Sequence, residues 1–92
     1  MRIHYTSTAL ADLDEILHYI ARDNAVAARA VADRIEQIVR EIGRFPGMAA
    51  VRADEPGVRV MPVGRYPYLV FYTVESNTVV ILRIRHAARQ QP

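Results

Sequence analysis

The fold of this 92-residue chain is decided by residues 65–89, which read RYPYLVFYTVESNTVVILRIRHAAR. Two runs of β-branched and aromatic residues, 68–74 and 78–85, flank a polar turn at 75–77, and this pattern predicts a β-hairpin. The second strand changes near its end from aliphatic residues to arginine and histidine. Because a strand holds its side chains at fixed spacing, such a basic end suits a polyanion or a shaped partner surface.

The sequence before the hairpin predicts a strand, two amphipathic helices and a further strand. Apolar residues recur at helical spacing in both helical segments, and Gly43 and Pro46 are stop signals for the second helix. In chain order, the predicted elements are a strand at 2–6, a helix at about 8–22, a helix beginning at Ala25, a surface loop at 45–57 and a strand at 58–63.

These elements predict an α+β fold with the order β-α-α-β-β-β. The short link between the helices implies an antiparallel helical hairpin. Because helices and strands are segregated along the chain, we expect this hairpin to pack on one face of an antiparallel sheet. A length of 92 residues and a hydrophobic fraction of 51% fit a single domain, 1–92, with a sizeable core.

Both faces of the predicted hairpin are largely apolar. On the second strand, alternation places Val80, Leu82 and Ile84 on one face and Val79, Ile81, Arg83 and Arg85 on the other. Because two helices cover one face only, we expect the other face to meet a partner. The alternative is that the loop 45–57 and the C-terminal tail fold over it.

The composition excludes several kinds of site. The chain has no cysteine, which removes disulfides, thiolate metal sites and cysteine nucleophiles, and it has no lysine. Residues 1–50 carry six arginines against seven acids, whereas 51–92 carry six against three, so the basic character belongs to the C-terminal half. Neither a membrane span nor an apolar signal core is evident. We therefore expect a cytoplasmic protein with no cofactor, no metal site and no membrane contact.

The candidate functional residues are mainly basic. Arg83 and Arg85 lie two apart on one strand and share a face, whereas the phase of Arg59 on its own strand stays open. His86 can act as an acid or a base near neutral pH, and clustered arginines can stabilise a pentavalent phosphate without a metal. The alternative is a solvated strand tip beside a packed tyrosine ladder. The full set is Arg59, Arg65, Arg83, Arg85, His86 and Arg89, with Tyr66, Tyr68 and Tyr72.

The acidic residues of the first helix are interpreted as surface residues. Asp12, Asp14 and Glu15 are typical of a solvated helix face, and early acids suit the positive end of the helix dipole.

Four segments carry a family resemblance, in order and at matching separations. They are Ala9-x-x-Asp12-Leu13-x-x-Ile16-x-x-Tyr19-Ile20, Phe45-Pro46-Gly47-Met48 with Gly57-Val58-Arg59, Tyr66-Pro67-Tyr68-x-Val70-Phe71-Tyr72, and Ile81-Leu82-Arg83-Ile84-x-His86-x-x-Arg89. Together they resemble the RelE/ParE toxin superfamily of type II toxin–antitoxin modules over nearly the whole chain. The resemblance implies a plasmid-stabilisation toxin whose open surface is wrapped by a cognate antitoxin in a hetero-oligomer.

The resemblance leaves two activities open. Its ParE-like branch poisons DNA gyrase by binding and needs no catalytic residues, whereas its RelE-like branch cleaves mRNA on the ribosome with lysines, arginines and often a C-terminal tyrosine. This chain has no lysine and no tyrosine after Tyr72, which favours the ParE-like branch. The residues expected to contact the target are Arg59, Arg65, Arg83, Arg85, His86 and Arg89. The alternative is a metal-independent endoribonuclease that uses Arg59, Arg83 and His86.

Overall fold

A computed structural model describes residues 1–89 of the chain and, for Arg89, the backbone alone. The elements are β1 (Arg2–Tyr5), α1 (Ser7–Ala21), α2 (Ala25–Arg44), β2 (Ala50–Val51), β3 (Arg59–Pro62), β4 (Tyr68–Glu75), β5 (Thr78–His86) and a short 3₁₀ turn (Ala87–Arg89). The predicted α+β class is confirmed, with two helices packed against one sheet. Neither helix in this part of the chain is long and apolar enough to cross a membrane.

The sheet has five strands in the order β1-β5-β4-β3-β2, and its first pair is parallel. The expectation of a wholly antiparallel sheet is therefore wrong for β1, which runs parallel to the first half of β5. Two helices and three strands lie between β1 and β5 in the chain, which is the kind of long connection that a parallel pair requires. The strand β2 lies within the predicted loop, and its two residues are too few to show alternation.

Both helices begin at a side-chain cap. The Thr6 hydroxyl oxygen accepts from the Ala9 N–H at 3.0 Å, and the Asn24 side chain accepts from the Ala27 N–H at 2.9 Å. The stop signals at Gly43 and Pro46 are confirmed, because α2 ends at Arg44, between them. A Cβ at Gly43 would lie 2.9 Å from Cδ1 of Ile3, so this glycine permits close packing of α2 on β1.

The core lies between α2 and the sheet. One stripe of α2 is almost fully buried against β4 and β5, and each of its isoleucines contributes roughly 1.5–3 kcal/mol by burial. The stripe consists of Val31, Ile35, Ile38, Val39 and Ile42, and its partners on the sheet include Val70, Tyr72, Val79, Ile81 and Ile84.

An irregularity in the β4–β5 ladder changes which residues face this core. Phe71 opposes Arg83 and Tyr72 opposes Ile81, so Leu82 is an extra residue on β5. Ile81 and Ile84 are both buried among the core residues. The prediction that Ile84 lies on the face opposite Ile81 is therefore wrong, because the bulge inverts the alternation.

The face of the sheet away from the helices is partly covered by the chain itself. The Phe71 side chain is 5% exposed, and the Arg52 guanidinium lies over its ring at 5.2 Å from the ring centre. Val58 is also buried, and its carbonyl accepts from the Arg52 N–H at 2.8 Å. The alternative in which the loop folds over this face thus holds around Phe71. The C-terminal tail, which shared that alternative, lies beyond the described residues.

Candidate functional site

The basic end of β5 extends beyond the end of its neighbour β1. β1 pairs with β5 only as far as Ile81, and within the described residues no strand pairs with β5 beyond that point on the same side. α1 occupies this side instead. The Thr6 N–H donates to the Ile81 carbonyl at 3.1 Å, and the Thr6 hydroxyl donates to the Leu82 carbonyl at 3.1 Å. The end of β5 is therefore supported by a helix rather than by a strand.

Asp12 of α1 also forms hydrogen bonds with the end of β5. Its carboxylate accepts from Arg83 Nε at 2.8 Å, from Arg83 Nη2 at 3.1 Å and from the Ile84 N–H at 3.0 Å. The last of these bonds satisfies a backbone donor that a neighbouring strand would otherwise have to satisfy. The carboxylate thus fixes both the backbone of β5 and the direction of one of its arginines.

The interpretation of Asp12 as part of a solvated helix face is wrong, because its side chain is only 16% exposed. A signal was present in the sequence. Asp12 follows Ala9 by three residues and precedes Ile16 by four, which places its carboxylate on the apolar stripe of α1. A carboxylate on an apolar stripe needs a buried partner.

The pKa of Asp12 reflects competing influences. Burial of the carboxyl raises its pKa, but the hydrogen bonds from Arg83 and Ile84 and the charges of Arg83 and Arg85 outweigh burial and hold the pKa below the ordinary value. The hydrogen bond to Asp12 raises the pKa of Arg83 in turn. Both shifts favour the charged forms of the two side chains, which are the forms that the ion pair requires.

His86 is held at the last position of β5. Its ring meets Tyr68, its register partner on β4, edge to face at 5.4 Å between ring centres and 84° between planes. The Ala88 N–H lies 3.1 Å from Nδ1 of His86. Because a backbone N–H only donates, Nδ1 accepts this bond, and the neutral ring carries its proton on Nε2.

Two grooves flank the basic end of β5, and Arg83 and Arg85 line both. The first, named here the edge groove, has a volume of about 260 Å³ and lies between α1 and β5. The second, the far groove, has a volume of about 300 Å³ and lies on the sheet face away from the helices. The edge groove is lined by Asp12, Glu15, Ile16, Tyr19, Tyr68, Arg83, Ile84, Arg85 and His86. The far groove is lined by Arg52, Glu55, Val58, Phe71, Leu82, Arg83 and Arg85.

Arg59 does not join this group. It opposes Tyr72, which faces the core, whereas Arg83 opposes the neighbouring residue Phe71, so Arg59 and Arg83 project from opposite faces. Nη1 of Arg59 donates to the Ala49 carbonyl at 2.6 Å. This contact ties the segment before β2 to the sheet.

Arg65 and Arg89 lie at the same end of the sheet as His86. The turn that contains Arg65 is joined to the residue after β5 by a hydrogen bond of 2.8 Å from the Ala87 N–H to the Pro67 carbonyl. Arg65 itself is exposed. The 3₁₀ turn places the backbone of Arg89 just beyond His86, and the side chain of Arg89 lies outside the described residues.

The predicted tyrosine ladder is divided between core and site. Tyr72 is completely buried, and its hydroxyl donates to the Pro46 carbonyl at 2.7 Å. Burial raises the pKa of this hydroxyl despite the lowering influence of the Ala49 backbone and the Arg59 charge. Tyr68 lines the edge groove, and Tyr66 packs against the margin of the core.

Sequence reasoning missed Arg52. The sequence offers little signal for it, because the residue lies in a segment rich in turn formers, and only the folded loop brings it over Phe71.

The described part of the chain contains no group of three or more histidine and carboxylate side chains placed to hold a metal ion. What the arrangement offers chemically is a rigid set of cations bordered by aromatic and aliphatic surface.

The chain is similar to known proteins over nearly its whole length. The sequence profile described as "ParE toxin of type II toxin-antitoxin system, parDE" matches residues 3–91. The putative toxin Y4kP of Sinorhizobium fredii is 35% identical over 95 residues, which cover 99% of this chain and 93% of that protein. Toxin RelE2 of Caulobacter vibrioides is 34% identical over 89 residues, with coverages of 96% and 97%. A solved structure of the chromosomal ParDE system from P. aeruginosa matches with a TM-score of 0.80 at 30% identity, covering 94% of this chain and 95% of that chain.

Proposed function

The chain belongs to the ParE toxin family of type II toxin–antitoxin systems, and on this premise we propose that it acts by binding and inhibiting DNA gyrase. Arg83, Arg85 and His86 contact gyrase or its DNA, with Arg65 and Arg89 at the same end of the sheet. A cognate antitoxin forms a hetero-oligomer with the toxin and neutralises it. This activity places the protein in the cytoplasm, where gyrase acts.

The observation that carries this proposal is the internal pairing of Arg83 with Asp12. An arginine that must stabilise extra charge on a cleaving phosphate works best when its own charge is not already matched. Here Nε and Nη2 of Arg83 are both bonded to a carboxylate, at 2.8 Å and 3.1 Å. The charge of this side chain is thereby already matched by a carboxylate, which favours a binding role over stabilisation of a cleaving phosphate.

The composition of the site supports the same conclusion. RNA cleavage without a metal needs a base and an acid in addition to the cations. Among the described residues, His86 is the one histidine that lines either groove, and its Nδ1 already accepts a backbone N–H. The other side chains of the edge groove that can transfer a proton are Asp12, which is bonded to Arg83, and Glu15, Tyr19 and Tyr68. The chain has no lysine to share the task. Similarity to the ParDE system adds family support for gyrase as the target.

The test is a supercoiling assay with purified toxin, gyrase and relaxed plasmid. We expect loss of supercoiling and accumulation of a cleaved gyrase–DNA complex, and we expect Arg85→Ala and His86→Ala each to weaken inhibition about tenfold, the equivalent of one good contact. The matched control is Arg40→Ala, because Arg40 lies on the exposed side of α2, where it pairs with Glu36. Undisturbed supercoiling at toxin concentrations that arrest growth would refute the proposal.

A RelE-like endoribonuclease is the second candidate, and similarity to toxin RelE2 favours it. In that case Arg83 stabilises the phosphate, and His86 supplies the proton on Nε2. Arg59, expected from the sequence to assist, would have to leave the Ala49 carbonyl and reach around the sheet. Primer extension on translating mRNA separates the candidates: breaks in the ribosomal A site that disappear in His86→Ala favour the nuclease, and intact mRNA in arrested cells eliminates it.

A further inference from the structure

We propose that the edge groove binds a guanine nucleotide, with the base on its α1 wall and the phosphate on its β5 wall. The inference goes beyond the proposed function, because nothing in it requires gyrase to be the target. It rests on the separation of charge between the two walls, on an exposed tyrosine ring and on the hydrogen-bonding groups that the fold leaves open.

The charges of the edge groove are divided between its two walls. The acids Asp12 and Glu15 lie on α1, and Arg83 and Arg85 lie on β5. With His86 neutral, these four charges sum to zero, so the groove has no net charge with which to hold a polyphosphate. Divided walls instead suit a small ligand that carries one anionic group at one end and N–H donors at the other.

The α1 wall presents an open aromatic ring and an open carboxylate. Tyr19 is 69% exposed and follows Glu15 by four residues, which brings the two side chains to the same face of α1. Within residues 1–89, no hydrogen bond or ion pair engages the Glu15 carboxylate. A planar base can therefore stack on Tyr19 while the edge of the base meets Glu15.

The carboxylate of Glu15 selects guanine among the bases. Guanine carries two adjacent N–H donors, on N1 and on its exocyclic amino group, and the two oxygens of one carboxylate accept them in parallel. Adenine and cytosine place an acceptor nitrogen beside the amino group, and a carboxylate repels that acceptor. Thymine offers a single N–H between two carbonyls. The specificity of the groove therefore lies in one side chain.

The β5 wall keeps donors for one phosphate. Asp12 binds Nε and Nη2 of Arg83, so Nη1 of this half-exposed side chain has no partner among the described residues. The neutral ring of His86 carries its proton on Nε2, because Nδ1 accepts from the Ala88 N–H. A guanidinium and an imidazole N–H at one strand end suit the oxygens of a phosphate.

A zwitterionic amino acid has the same polarity as this groove and is the alternative ligand. Its carboxylate would meet β5 and its ammonium would meet Glu15, but the ring of Tyr19 would lack a planar partner. The nucleotide therefore uses more of the groove. A bound nucleotide also occupies Arg83 and His86, so it competes with any target that these residues contact.

The test is isothermal titration calorimetry of the purified chain with guanosine 5′-monophosphate (GMP) and adenosine 5′-monophosphate (AMP). We expect GMP to bind about tenfold more tightly than AMP, and guanosine without its phosphate to bind about tenfold more weakly than GMP. Glu15→Gln should reverse the preference, because a glutamine amide both donates and accepts and so matches the amino group and ring nitrogen of adenine. Tyr19→Ala should weaken both nucleotides by about tenfold through the loss of stacking.

The matched control is Asp14→Asn, which should leave both affinities unchanged. Asp14 is an exposed carboxylate on α1 that pairs with His18 and does not line the groove. A gain of AMP binding in Glu15→Gln cannot arise from misfolding, so the reversal supports the site even if Tyr19→Ala loses structure.

A single-stranded oligothymidine with one central guanine distinguishes two sources of the ligand. Tighter binding of this oligonucleotide than of GMP assigns the groove to an unpaired guanine of DNA, and weaker binding assigns it to the free nucleotide. Undetectable binding of GMP, equal affinities for GMP and AMP, or an unchanged preference in a folded Glu15→Gln would overturn the proposal. Tighter binding of leucine than of GMP would overturn it as well, in favour of the zwitterion.

Discussion

Replacing Asp12 with alanine should destabilise the fold by about 2–4 kcal/mol, whereas removing its partner Arg83 should cost about 1–2 kcal/mol. The two residues form one ion pair, so an account based on that pair alone predicts equal losses. The structure predicts unequal losses because Asp12 also binds the backbone of β5. Its carboxylate also accepts from the Ile84 N–H at 3.0 Å.

The magnitude follows from the burial of the groups left behind. Ile84 is 2% exposed, so its N–H loses its partner in a place that water cannot readily reach, at a cost of about 1–3 kcal/mol. The Arg83 side chain is 42% exposed, so its ion pair contributes about 1 kcal/mol at most. Asp12→Ala loses both terms. Arg83→Ala loses the second and also leaves the Asp12 carboxylate, which is 16% exposed, without its arginine, so its cost rises to about 1–2 kcal/mol and stays the smaller of the two.

Urea unfolding followed by far-ultraviolet circular dichroism measures both values. Asp33→Ala is the control, because Asp33 is 61% exposed in an ion pair on α2 and should change stability by no more than about 0.5 kcal/mol. The reasoning fails if Arg83→Ala proves as costly as Asp12→Ala, because the bond to the Ile84 N–H would then contribute nothing.

The same carboxylate predicts an acid dependence. The pKa of Asp12 is lowered in the folded chain from an ordinary value of 3.8, so the unfolded chain takes up a proton first as the pH falls. The stability that Asp12 contributes is therefore fully present above pH 3.8 and is lost as the pH falls further, through the folded pKa. Asp12→Asn should lack this component of the acid unfolding curve.

Two further predictions concern the segments that frame the sheet. Tyr72→Phe should cost about 1–2 kcal/mol in the same urea assay, because it leaves the Pro46 carbonyl without its donor at 2.7 Å. Burial raises the pKa of the Tyr72 hydroxyl from 10.0, so the wild-type chain should lose stability above pH 10.0, and Tyr72→Phe should lose less. Gly64→Ala should cost about 1–3 kcal/mol in thermal unfolding, because Gly64 has a φ of +97° and its new Cβ would lie 2.9 Å from Nη2 of Arg34. Arg34→Ala alone loses the hydrogen bond from its Nε to the Val63 carbonyl, so Gly64→Ala is compared within that background, where it should still cost the part due to the backbone. A cost near zero there would contradict the backbone argument.

The helices could be predicted from the sequence because their signals are local. Apolar spacing and the capping residues Thr6 and Asn24 act within a few residues, and the observed bounds of α1 and α2 lie close to the expected ones. The hairpin of β4 and β5 was predictable for the same reason. Its turn residues Ser76 and Asn77 both adopt the positive φ that such a turn requires.

The features that sequence reasoning missed depend on contacts between distant parts of the chain. The bulge at Leu82 cannot be read from a run of four aliphatic residues, 79–82, because each of them suits either face. The face from which Arg59 projects depends on which residue of β4 it opposes. The hydrogen bond between Asp12 and the Ile84 N–H forms only once α1 lies beside β5. The predicted site therefore included the two arginines of β5 that line both grooves, but lacked the carboxylate that orients one of them.

The parallel pairing of β1 with β5 has a consequence for synthesis. The ribosome makes β1 first and β5 last, and the hydroxyl of Thr6 reaches a carbonyl 76 residues further along the chain. A growing chain can form its helices early, but the sheet stays incomplete until the final strand emerges. The strand that completes the fold is also the one that carries Arg83, Arg85 and His86. The order of translation thus delays the basic surface until the last of the five strands has been made.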